Sequence, residues 1–125
     1  MSENCNQPMI LIDTAKYRIR IHRTTLAAIG QPEFILLIVN PEEKTLGIMP
    51  GRMSDPGAHR VKTPSVKANK CYELYSSGLI HQLRKVCPEW TTGGKYRLEG
   101  NLVPGEFLVR FAMDDAVFTG IGKVK

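Results

Sequence analysis

The residues of this chain best suited to chemistry are cations. Lys16, Arg18, Arg20 and His22 recur at every second position, Ile19 and Ile21 fall between the last three, and Arg23 follows at once. Alternation at period 2 belongs to a half-buried strand, whose residues i, i+2 and i+4 line one face. With the two isoleucines turned to a core, the cations form a row on a rigid edge. Lysine in such a row contacts phosphate as a point charge, and arginine can grip a phosphate or a guanine edge through two parallel hydrogen bonds. The same row also suits the solvated outer face of an antiparallel sheet. Salt separates the two alternatives, because contacts to phosphate release counterions and weaken steeply as salt rises. If the row is exposed, neutralising Arg18 and Arg20 is expected to leave folding nearly intact.

A second group of cations lies in "GRMSDPGAHRVKTPSVKANK", residues 51 to 70, where Arg52, Arg60, Lys62, Lys67 and Lys70 face a single acid, Asp55. Glycine, proline and serine throughout, with no apolar period, give it the composition of a loop or linker. Its charge would raise affinity for a polyanion without adding specificity. The whole chain carries a formal +5, which favours the same class of partner.

Other constellations lead away from catalysis. Cys71, His81 and Cys87 lack a fourth metal ligand, and His81 and Cys87 stand six apart on one helix, on different faces. Adjacent Asp114 and Asp115 would point to opposite sides of a strand and read as a turn or a helix cap. No GxGxxG, P-loop or HExxH occurs. No enzyme activity, cofactor, metal or small-molecule substrate is expected. Three cysteines without CxxC spacing suggest reduced thiols. No apolar run approaches the roughly 18 to 20 residues of a spanning helix, and "MSENCNQPMILID" lacks the features of a signal peptide. A cytoplasmic protein with no membrane partner is therefore expected.

The elements that must position these residues are mostly strands. "MILIDTAKYRIRI" supplies one or two, with a possible break at Asp13-Thr14, and a short helix over about 24–29 follows, with Thr24 or Thr25 as N-cap and Gly30 as its stop. "EFILLIVN" reads as a strand buried on both faces, "PEEKT" as a turn and "LGIMP" as the returning strand. Leu79, Ile80, Leu83 and Val86 fit the i, i+3, i+4, i+7 pattern of a main helix over about 77–87, capped by Ser76 or Ser77. Two more strands follow around Pro104-Gly105. Helix then hairpin thus occurs twice, each time across a Pro-Glu-aromatic junction, Pro32-Glu33-Phe34 and Pro88-Glu89-Trp90.

The segment Tyr17 to Pro50 resembles the AbrB-type swapped-hairpin module of bacterial transition-state regulators and antitoxins. The likeness rests on Arg18-Ile19-Arg20-Ile21-His22, a helix with Leu26 and Ile29-Gly30, and strands at 34 to 40 and 45 to 49. Chains of the MraZ type carry two such modules, which offers a precedent for the duplicated order. His22 stands where that family usually has proline, and the second half lacks the Arg-apolar-Arg-apolar start.

Together these observations give an α+β fold, a small mostly antiparallel sheet or barrel, in one domain over 1–125 with half-units about 9–50 and 71–120 joined by the basic linker. The resemblance implies a DNA-binding homodimer, a transcriptional regulator or architectural factor, working through Lys16, Arg18, Arg20, His22, Arg23 and the linker cations. The alternative is a non-enzymatic protein-interaction module with a basic surface. Self-association is expected in either case, because one small sheet can hardly cover "FILLIV" on both faces.

Overall fold

Period-2 patterning dominates the chain, and strands dominate the fold. The structure, a computed structural model, describes residues 7–61 and 71–122, so Lys62, Lys67 and Lys70 lie outside the described residues. Its elements run β1 (Met9–Asp13), β2 (Arg18–His22), α1 (Arg23–Ala28), β3 (Phe34–Asn40), β4 (Thr45–Gly51), β5 (His59–Arg60), β6 (Cys71–Tyr75), α2 (Ser77–Val86), β7 (Gly94–Leu102), β8 (Val109–Ala112), a 3-10 turn (Met113–Asp115) and β9 (Val117–Ile121). This is a small α+β protein with a curled antiparallel half-barrel and two short helices.

The sheet order among the described residues is β5-β3-β4-β8-β7-β1-β2-β6, with β9 also on β7. Strands from the two halves of the sequence interleave: β1 pairs with β7 and β4 with β8. β7 is the pivot. One edge holds β1 along Lys95 to Glu99, while the other takes β9 along Gly94 to Arg97 and β8 along Gly100 to Leu102. The 3-10 turn lets the chain pass from β8 to β9 along that edge. Gly100 sits at the changeover because nothing larger fits: a Cβ there would stand 2.6 Å from the Phe111 ring.

Alternation explains the core. Ile10 and Ile12 of β1, Ile19 and Ile21 of β2, Tyr96 and Leu98 of β7 and Val109 and Phe111 of β8 all turn inward, and Ile80 and Leu83 of α2 join the same cluster. At roughly 25 cal/mol per Å² of apolar surface removed from water, this cluster is the main source of stability. Ser76 caps α2 by accepting from the Leu79 N–H at 3.2 Å. Trp90 stacks on Tyr96 at 4.5 Å between ring centroids and so ties the end of α2 to β7.

Several elements differ from the sequence expectation. The N-cap of α1 is His22, whose Nδ1 accepts from the Thr24 N–H at 3.2 Å, because the helix begins at Arg23, two or three positions earlier than a cap at Thr24 or Thr25 would place it. Thr25 is buried instead, its hydroxyl accepting from Met9 N–H and donating to Met9 C=O, both at 2.9 Å. Gly30 does end the helix with a positive φ of 85°. β3 is buried on one face only: Ile35 is fully covered, whereas Ile38 on the opposite face is 50% exposed. Within the connector, His59–Arg60 pairs with β3 and Val61 enters the core. No helix among the described residues is long and apolar enough to cross a membrane.

Candidate nucleic-acid interface

The outer face of β6, β2, β1 and β7 carries the basic row. Side chains of paired residues in an antiparallel sheet share a face. One line across the strands therefore reads Tyr75, Arg18, Asp13, Lys95, and the next reads Glu73, Arg20, Leu11, Arg97. Arg18 and Arg20 are thus joined by Lys95 and Arg97, two strands away and roughly 10 Å across the sheet. Lys95 and Arg97 alternate with Tyr96 and Leu98, so their facing was legible. Their place beside the arginine row was not, since it depends on β7 pairing with β1.

Two acids reach the arginines, and a third, the exposed Glu99, follows Arg97 on the same face of β7. Asp13 is 1% exposed, and its Oδ2 takes Arg18 Nη2 at 3.0 Å. Its other oxygen accepts from the Ala15 N–H at 3.0 Å and the Lys16 N–H at 3.2 Å, which holds the turn between β1 and β2. Glu73 lies between the arginines, with Oε2 at 3.6 Å from Arg18 Nη1 and 3.1 Å from Arg20 Nε. Burial of Arg18 works against its charge, but hydrogen bonding to Tyr75 and Asp13 and the charges of Glu73 and Asp13 outweigh it and raise its pKa. The Arg18 side chain is 14% exposed and the Arg20 side chain 38%. Arg18 is consequently a structural cation held between two carboxylates. Arg20 is the more exposed of the two, although its Nε is covered against Glu73.

The remaining candidates scatter. Lys16 is exposed in the turn before β2, and Arg23 is exposed at the start of α1. His22 is half-buried, turned to the cap of α1. Arg52 and Arg60 belong to the opposite end of the sheet order, beside β3, where Arg60 stands 3.6 Å from Glu33. Cys71, across from His22, has its thiol pKa pushed up by burial, with Arg20 lowering it and Glu73 raising it. Burial likewise raises the Cys87 thiol. No cluster of three or more histidine, cysteine or acidic side chains suited to a metal occurs among the described residues.

Compared with known proteins, the chain matches no family model, no curated protein and no solved structure.

Proposed function

We propose that this chain is a non-enzymatic nucleic-acid-binding module that holds the phosphate backbone on the outer face of β2, β1 and β7. The observation that carries the reading is the register that sets Arg20, Lys95 and Arg97 on one face of adjoining strands. Arg18 and Arg20 against Asp13 and Glu73 sum to no net charge. Lys95 and Arg97 against Glu99, which follows them on the same face of β7, then leave a surplus of one positive charge, and Lys16 and Arg23 are exposed beyond the two ends of the β2 row. A DNA-binding regulator or architectural factor of the AbrB kind is the form this reading takes, and the order strand, short helix, hairpin agrees with it. Arg18 is reassigned within it: the side chain orders the face and the others touch the ligand.

Binding of duplex DNA measured against salt tests the reading. Each phosphate contact steepens the fall of log affinity with log salt by about 0.9. Substituting Lys95 and Arg97 by glutamine should make the slope shallower by roughly 1.8 per bound protomer. An unchanged slope in a folded variant removes this face from the proposal. The second reading, a protein-interaction module, is favoured by a different surface, the half-exposed aliphatic face of β3.

A further inference from the structure

β3 is a seven-residue strand with an edge only partly covered. β4 pairs along its whole length on one side, but on the other β5 meets only Phe34 and Ile35. The Val61 N–H donates to the Glu33 C=O at 2.8 Å, so Glu33 directs its backbone groups toward that edge. Backbone direction alternates along a strand, and Ile35, Leu37 and Val39 must do the same. Among the described residues no strand pairs with Leu37 or Val39 on that side.

We infer that the open part of this edge, residues 36 to 40, takes β3 of a second copy of this chain, antiparallel about a two-fold axis at Ile38. The inference goes beyond the nucleic-acid reading and stands independently of it. Self-complementarity fixes the register. Only odd-numbered residues offer hydrogen bonds, so the pairs must join odd to odd. An axis at Leu37 would bring the partner's strand onto the position that β5 occupies beside Ile35. An axis at Val39 would ask Pro41 for an N–H it does not have. The axis at Ile38 joins Leu37 of each copy to Val39 of the other, and the partner's chain comes level with β5 only at Pro41, where β3 has ended and the hairpin turns away toward β4.

Side chains and charges agree with that register. Ile38 faces its own copy as a non-hydrogen-bonded pair, the arrangement in which side chains approach most closely. It is 50% exposed in the single chain. Leu36, Met49 and Leu108 continue the aliphatic surface beside it, and a Cβ on Gly47 would stand 3.1 Å from Leu108 Cδ1, so the glycine leaves room for that leucine. At the ends of the paired segment, Glu42 of each acidic hairpin tip arrives level with Phe34 of the other copy and so beside that copy's Arg60. Arg60 is exposed, and its contact to Glu33 is long at 3.6 Å. Acid meets base twice across the axis. The edge of β9 is a poorer candidate, because a register shift at Lys95/Tyr96 and Gly120 at φ 137° bend it, as protected edges are bent.

Sedimentation equilibrium of the whole chain, from micromolar to hundreds of micromolar, tests the inference together with two variants. The wild type should self-associate reversibly to a dimer. Ile38→Lys sets like charges directly opposite each other and should raise the dimer dissociation constant at least about tenfold, with an unchanged circular dichroism spectrum. Ile38→Cys, in a chain with Cys5→Ser and Cys71→Ser, should form a covalent dimer on mild oxidation, whereas Thr119→Cys on β9 in that chain should not. A wild type that stays monomeric throughout overturns the inference, as does equal cross-linking of the two cysteine variants. Loss of DNA binding with the dimer intact would count against the nucleic-acid reading alone.

Discussion

Arg18 Nη2 lies 3.0 Å from Oδ2 of Asp13, and that carboxylate also holds the backbone of the β1–β2 turn through Ala15 and Lys16. One buried acid thus fixes both the turn and an arginine of the basic row. Asp13→Ala removes three hydrogen-bonded partners and leaves Arg18 short of a counter-charge. It should lower stability by about 2–3 kcal/mol in urea denaturation. Arg18→Ala should also destabilise clearly, and more than Arg20→Ala, whose side chain is more exposed. Equal effects of the two arginine substitutions would show that Asp13 gives Arg18 no special role.

Gly100 and Gly78 make a contrasting pair. A Cβ on Gly100 would press on the Phe111 ring, while at Gly78 nothing lies within 4 Å. Gly100→Ala should destabilise by about 1–3 kcal/mol through overpacking at the pivot of the sheet. Gly78→Ala, in the first turn of α2, should instead stabilise by about 0.5 kcal/mol, because alanine loses less backbone freedom. Thermal melts of the two variants check both signs.

The strands and helix with a buried stripe were legible in the sequence, and those without one were not. Ile19 and Ile21 turn inward in β2 as their spacing requires, and Ile80 and Leu83 mark the buried side of α2. β6 buries only Leu74, and all five residues of β9 remain outside the buried class, so neither strand advertises itself by pattern. Both are held by backbone pairing to a neighbour far away in sequence. The run "FILLIV" shows apolar residues on both faces of β3, and composition cannot tell which face the sheet covers. In the site, the row Arg18, Arg20 was legible from alternation. Its acids were not, because Glu73 reaches it through β6, and Lys95 and Arg97 reach it through β7.

Acid should weaken the protein partly through His59. Burial lowers the pKa of this histidine from its ordinary 6.5, so the unfolded chain binds a proton that the folded chain resists. Stability is unaffected well above pH 6.5 and falls as pH drops from 6.5 toward the lowered folded-state pKa. His59→Gln should therefore flatten the stability profile over that window compared with the wild type. Denaturation at a series of pH values reads the difference, and parallel profiles would place the acid sensitivity elsewhere.

The most direct test of the central claim is fluorescence anisotropy of a labelled DNA duplex titrated with the wild type and with Lys95→Gln, Arg97→Gln at several salt concentrations. The account predicts salt-sensitive binding by the wild type and a slope of log affinity against log salt that the double substitution makes shallower by roughly 1.8 per protomer. Identical slopes in two folded proteins, or no binding by the wild type at low salt, would contradict it.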